Sequence, residues 1–241
     1  MLVCITNSKG GVGKSTLAVH IAVGLFDRGA KVALLDCDQQ RSSSTWIAEV
    51  EPQITIETAD TPQEVALKAQ NLSRSHDFIV GDAPAGLDER SRALLVLADL
   101  AVVPINPSIL DLRSVLLAST ALKEAQAINN GRPEARLVLN RMRTWDLISR
   151  QLEQVAPTLG LSVAKSKIRD LRAYRDAALQ GSVVTRLKTD RSGAAADMTS
   201  LLVELFTDKL VFLEPPSAEL SPEKENPLEN EQPYERKKIA Q

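Results

Sequence analysis

The stretch Leu2-Val3-Cys4-Ile5-Thr6-Asn7-Ser8-Lys9-Gly10-Gly11-Val12-Gly13-Lys14-Ser15-Thr16 decides the reading of this 241-residue chain. Leu2–Thr6 is short, apolar and partly β-branched, which predicts a strand. Lys14–Arg28 follows with helical spacing, and Gly29 supplies a stop. The segment between them is rich in glycine. A phosphate chain needs several backbone N–H groups converging on it, and glycine allows that close approach. The start of the following helix adds partial positive charge. Gly10, Gly11, Val12, Gly13, Lys14, Ser15 and Thr16 are therefore expected to cradle the phosphates of ATP. Lys14 is placed to reach the β- and γ-phosphates, and the Ser15 hydroxyl to coordinate Mg2+.

The same alternation continues along the chain. Lys31–Leu35, Ile54–Thr58, Phe78–Gly81, Ala101–Ile105 and Ala135–Leu139 read as strands. Thr61–Leu72, with Thr61 as N-cap and Pro62 at the first helical position, reads as a helix. Asp111–Ile128, Trp145–Leu159, Asp170–Leu179 and Gly193–Leu210 read as further helices. This order predicts an α/β fold: a doubly wound, mostly parallel sheet with helices on both faces. Apolar runs such as residues 32–35 and 100–105 fit strands buried on both sides. The domain is expected to span residues 1–213. Residues 214–241 hold five prolines and seven glutamates and end in Arg236, Lys237 and Lys238. That composition predicts a disordered acidic tail.

Composition excludes several classes. With 44% hydrophobic residues the chain can bury one sizeable core, and its net charge of −2 points to neither nucleic acid nor membrane. Cys4 and Cys37 lie in apolar runs and match no disulfide framework or metal pair. His20 and His76 cannot make a metal site unaided and receive no role. The N-terminus lacks the pattern of a signal peptide, and no run reaches the ~18 apolar residues of a membrane span. A cytoplasmic protein is expected.

Acidic residues stand where two strands end. Lys31–Leu35 runs into Asp36, Cys37 and Asp38, and Phe78–Gly81 runs into Asp82. Open α/β sheets gather their ligands at that edge, so both ends are expected beside the glycine-rich loop. Asp82 fits the carboxylate that holds Mg2+ indirectly. Ser8 stands where the general phosphate-loop pattern has its first glycine, and Lys9 adds a second lysine. That combination, KGGxxGK[ST], resembles the deviant Walker A motif of the ParA/MinD family. Asp36, Asp38 and Gln40 resemble that family's D-x-D-P-Q segment, with Gln39 in place of proline. Residues 82–86 resemble its D-x-P switch, and Asn140 stands at the strand end where the family contacts adenine.

The resemblance covers residues 1–210 and implies more than the loop chemistry does. By it, Asp38 positions or activates the attacking water, Asp36 sits near the Mg2+ shell, and Lys9 reaches across a two-fold interface to the partner's phosphates. An ATP-dependent homodimer with slow hydrolysis follows. The polar C-terminus does not resemble the amphipathic membrane helix of the MinD branch, and Cys4 and Cys37 are badly placed for a shared iron–sulfur cluster. The chain thus resembles the short ParA type, which implies nucleoid association and a cargo adaptor of ParB-like role for a plasmid, chromosome or protein body such as a carboxysome. Non-specific double-stranded DNA binding is expected from residues 165–191, where Lys165, Lys167, Arg169, Arg172, Arg175, Arg186, Lys188 and Arg191 face three aspartates, an excess of five charges. Two other classes remain open: a P-loop enzyme coupling ATP to activation or amidation of a small molecule, and a regulator that meets partners through its acidic tail.

Overall fold

The computed structural model describes residues 1–106, 111–143 and 147–210. The acidic tail, its basic end and Trp145 lie outside the described residues. Seven parallel strands form one sheet: β1 (Leu2–Ile5), β2 (Val32–Asp36), β3 (Thr55–Thr58), β4 (Phe78–Asp82), β5 (Leu100–Ile105), β6 (Glu134–Leu139) and β7 (Ser162–Val163). Their order is β3-β2-β4-β1-β5-β6-β7. The chain therefore reverses its direction of travel across the sheet between β1 and its neighbours, which is where such sheets hold ligands.

Side-chain alternation along the strands builds two cores. In β1, Leu2 and Cys4 face one side while Val3 and Ile5 face the other. In β5, Ala101, Val103 and Ile105 oppose Leu100 and Val102. The first side is covered by α3 (Pro62–Leu72), α4 (Glu89–Leu97), α5 (Asp111–Ile128) and α6 (Leu147–Val155). The second is covered by α1 (Lys14–Phe26), α2 (Ser42–Val50), α7 (Arg172–Leu179) and α8 (Ala194–Leu210). Parallel strands covered on both faces need near-continuous apolar runs, as residues 32–35 of β2 and all of β5 have.

Local signals end most elements where expected. Thr61 caps α3 by accepting from the Glu64 N–H at 3.2 Å, with Pro62 in the first turn. Gly29 adopts φ 85° after α1, a left-handed stop that a side chain disfavours. The expected helix from Trp145 is shorter: α6 ends at Val155 and Ala156–Leu159 tightens to a 3-10 turn, because Pro157 cannot donate to an α-helical ladder. Two helices, α2 and α4, were not delimited by periodicity. Serines crowd the start of α2, and the apolar run of α4 merges into β5. Asp88 nonetheless caps α4 through the Ser91 N–H at 3.0 Å.

The aromatic pair Phe206 and Phe78 joins α8 to β4, edge to face at 5.6 Å between centroids. Phe206 is fully buried. Phe206→Ala is expected to lower folding stability by about 3–5 kcal/mol, read as a lower denaturant midpoint with an unchanged slope.

Candidate nucleotide-binding site

The glycine-rich loop leaves β1 and opens α1. Gly13 sits at the N-cap with φ 93° and no side chain caps the helix, so the first-turn N–H groups stay free for an anion. A methyl group at Gly13 would also overlap the Asn140 amide. Two asparagines tie the loop to the sheet. Asn140, at the end of β6, donates to the Val12 carbonyl at 2.7 Å. Asn7 donates to the Pro104 carbonyl of β5 at 2.7 Å and accepts from the Lys9 N–H at 2.9 Å. Asn7 carried no sequence signal of its own; only its position between strand and loop marked it. The Gly86 N–H donates to the Ser8 carbonyl at 3.0 Å, which docks residues 82–86 on the loop.

Lys14 is buried, and its ammonium donates to the Lys9 carbonyl at 3.3 Å. Burial lowers its pKa, while Asp82 and Asp38 act in the opposite direction. Lys9 itself is half-buried at the edge of the loop. Lys9, Lys14, Ser15 and Thr16 thus lie together with Asp38 and Asp82 at the C-terminal edge of the sheet.

The strand-end carboxylates differ in kind. Asp36 and Asp82 are partners in register across β2 and β4, and Ile5 of β1 pairs with Asp82 on its other side. Asp36 is saturated: Oδ1 accepts from the Asp38 N–H at 3.0 Å, and Oδ2 from Ser44 N–H and Oγ at 3.0 and 2.6 Å. The expectation that Asp36 faces the Mg2+ shell meets a carboxylate engaged in shaping the turn. Gln39 does not undo that turn, because Asp38 Oδ1 accepts from the Gln40 N–H at 3.0 Å and the Arg41 N–H bonds the Asp38 carbonyl at 3.0 Å. Asp38 keeps a half-exposed side chain whose Oδ2 has no hydrogen-bond partner among the described residues.

Both oxygens of Asp82 are buried without a hydrogen-bond partner among the described residues. Burial pushes its carboxyl up to about 7; the nearby Ser15 and Ser43 hydroxyls oppose the rise without reaching hydrogen-bond geometry, Asp36 reinforces it and Lys14 opposes it. An orphaned carboxylate beside Ser15 and Lys14 fits a hydrated Mg2+, whose charge would reverse this cost.

A cavity of about 730 Å³ continues from Gly13 and Thr16 past Asn140. Its walls include Trp46, Asn106, Arg141, Asp170 and Tyr174, none of which the sequence singled out for the nucleotide. His20 stands behind Trp46 and Tyr174, 5.4 Å from each ring. It bonds the Thr16 carbonyl through Nδ1 at 2.8 Å and the Val184 N–H through Nε2 at 3.2 Å, so a donating Nδ1 and an accepting Nε2 fix one neutral tautomer. Burial holds its pKa down to about 4. His20 thus acquires the structural part that sequence left blank.

The basic segment 165–191 is less free than its charge count implies. Lys167 pairs with Glu153 at 3.1 Å, Arg169 with Asp197 at 2.8 Å and Arg172 with Asp176 at 3.2 Å. Arg186 is tied to Asp27 at the end of α1 and to Glu51 and the Val50 carbonyl at the end of α2. Asp27, Glu51, Glu153 and Asp197 lie outside the counted window, so the local excess of five overstates the free charge. Arg186 in particular is a buttress between helices. Lys188 is exposed, and Lys165 lies beside Glu204, which accepts from its N–H at 2.7 Å.

One pH effect follows from Asp82. In the absence of nucleotide and metal, the folded chain keeps a proton on this group up to about 7, whereas the unfolded chain loses it near the ordinary 3.8. The folded state binds more protons across that window, so stability falls as pH rises through it. Asp82→Asn is expected to match the parent near pH 4 and to exceed it by a few kcal/mol at most above pH 7, measured by denaturant unfolding at each pH.

The model of the CobQ/CobB/MinD/ParA nucleotide binding domain matches residues 3–184. Maintenance of carboxysome distribution protein A of Halothiobacillus neapolitanus is 30% identical over 209 residues, covering 83% of this chain and 94% of that protein. The septum site-determining protein MinD of Escherichia coli is 24% identical over 246 residues, covering 84% and 90%. Among solved structures, MinD of Pyrococcus horikoshii with Mg-ADP superposes with a TM-score of 0.69 at 22% identity, covering 88% of this chain and 97% of that one. An ATP complex of McdA from Cyanothece gives 0.67 at 17% identity, covering 84% and 95%. The parallel sheet is the MinD/ParA P-loop fold, and nucleotide and Mg2+ are the cofactors expected of its site. The chain belongs to the CobQ/CobB/MinD/ParA nucleotide-binding family of P-loop ATPases.

Proposed function

We propose that this protein is a ParA-type positioning ATPase that distributes a protein body, of which a carboxysome is the leading example, or a plasmid or chromosome. The observation that carries this reading is the 30% identity to a carboxysome distribution protein along 94% of that protein's length. Two features of this chain support it: Lys9, additional to Lys14 in one phosphate loop, and the absence of any helix long and apolar enough to cross a membrane among the described residues.

In the proposed mechanism the loop N–H groups and Lys14 bind the triphosphate, and Ser15 and Asp82 would hold Mg2+, which would supply positive charge against the phosphate oxygens. Asp38 offers its unpartnered Oδ2 to orient the attacking water and take its proton. Asn140 reads the base edge of the cavity. Lys9 completes the site of a second copy, so ATP favours the dimer and its hydrolysis weakens it. The dimer holds nucleoid DNA without reading bases, and a cargo-bound adaptor of ParB-like role stimulates hydrolysis and releases it. Lys9→Ala is expected to abolish ATP-dependent dimerisation in sedimentation while leaving monomer folding intact; dimerisation equal to the parent's would sink the cross-interface role.

A second reading draws on a specific likeness. Cobyrinic acid a,c-diamide synthase of Mycobacterium smegmatis superposes with a TM-score of 0.57 at 22% identity, covering 73% of this chain. Here ATP would activate a small acid for amidation. Binding to random-sequence duplex DNA, measured with ATP, with ADP and without nucleotide at two salt concentrations, separates the two. Salt-sensitive binding that needs ATP is the expected result. No binding under any condition, together with ATP turnover stimulated by a small carboxylic acid, would favour the amidating enzyme.

A further inference from the structure

From charge placement around the nucleotide cavity, we infer that duplex DNA lies across the cavity's mouth and retards nucleotide release. The inference rests on the proposed DNA binding and assigns it a place. The cavity is bordered by Gly13, Thr16 and Asn140 near the loop, and by Arg141, Arg143, Arg169 and Arg175 elsewhere. Arg143 and Arg169 have their carboxylates, Asp170 at 2.9 Å and Asp197 at 2.8 Å. Arg141 and Arg175 are exposed and have no ion-pair partner among the described residues. They come from different elements, the turn after β6 and helix α7. Arg141 holds φ 55°, a conformation that costs a non-glycine residue energy and sets it directly beyond Asn140.

The bound nucleotide does not account for these two cations. Its negative charge sits at the phosphate end, over the α1 N-terminus and Lys14, whereas a nucleobase is neutral. Guanidinium groups without a carboxylate partner among the described residues, set away from the phosphate loop, fit a further anion. Further cations extend the same edge. Arg172 shares α7 with Arg175, and its side chain is 84% exposed despite its pairing with Asp176. Arg191 is exposed in the loop before α8, and its neighbour Asp190 acts electrostatically on Arg169. Cations from three stretches of chain along one edge match the repeated phosphates of a duplex better than a single small anion. Single strands are disfavoured, because the nearby aromatics, Trp46 and Tyr174, are half-buried and packed on His20 rather than presented for stacking. DNA held by residues that line the mouth covers the path by which the base leaves.

The test uses the full chain, a random-sequence duplex and a fluorescent, non-hydrolysable ATP analogue. Arg141→Glu, Arg175→Glu and the double variant are compared with Lys123→Glu, an exposed charge reversal on α5 away from the cavity. The parent is expected to release the analogue at least about fivefold more slowly when saturated with DNA. The double variant is expected to lose tenfold or more in DNA affinity, more than it loses in affinity for the analogue, with the salt slope reduced by about two, and to release the analogue at the same rate with and without DNA. Lys123→Glu should behave as the parent. If the parent binds DNA while release is unaffected, or the double variant binds DNA as the parent does, the inference falls and the DNA reading stands. Equal losses in analogue and DNA affinity would reassign the arginines to the base and overturn it. A parent that binds no DNA in any nucleotide state removes the reading and the inference together.

Discussion

A phosphate loop works only if its N–H groups are left unbonded while its carbonyls are turned away and satisfied. Here two buried amides impose that division. Asn140 takes the Val12 carbonyl, and Asn7 uses both ends of its side chain, donating to β5 and accepting from Lys9. The bonds to Val12 and Pro104 are buried, so leaving them unmade costs more than making them gains. The loop is thereby hung between β5 and β6 as well as from its own strand. The free first turn of α1, the left-handed Gly13 and the position of the base cavity all follow from that suspension.

The strand-end carboxylates obey a complementary rule. Asp36 and Asp82 are neighbours in register and would repel if both were charged and bare. The chain resolves this by giving Asp36 three hydrogen bonds and Asp82 none among the described residues. One carboxylate is spent on the turn that presents Asp38. The other is left without a protein partner. Both stand at strand ends in the sequence; the hydrogen bonds from Ser44, in the first turn of α2, set their environments apart.

That contrast shows what was legible. The alternation of strands and helices, the two-sided sheet and the glycine-rich loop rest on runs of adjacent residues, and the sequence displays them directly, whereas the order of strands across the sheet does not show there. Lys14, Ser15 and Asp82 could be proposed for the site because loop and strand-end chemistry is local. What stayed hidden is what depends on partners distant in the chain. Asn7 meets Pro104, Arg186 meets Asp27 and Glu51, and Arg169 meets Asp197. A charge window along residues 165–191 cannot count carboxylates delivered by other helices. The α2 helix was obscured for another reason: serines have weak helical preference, and its stability comes from Ile47 and Trp46 packing on α1 and the 182–184 segment.

The same packing constrains how the site can respond to its ligand. Helix α1 begins at the phosphate loop and α2 begins just after Asp38. Arg186 pins their far ends together, and His20 and Trp46 join them midway to residues 182–184. A shift of the Asp38 turn therefore has two outlets. It is absorbed between Asp38 and Ser44, where Arg41 already sits at φ 50° and is ion-paired to Asp60, or it carries α2 and the 182–187 segment together. The second outlet leads through Tyr174 to α7 and the cavity wall. Close packing favours discrete rearrangement over gradual flexing. The Asp38 turn and α7 are thus joined by one continuous chain of packed side chains, running through α2, His20 and Tyr174.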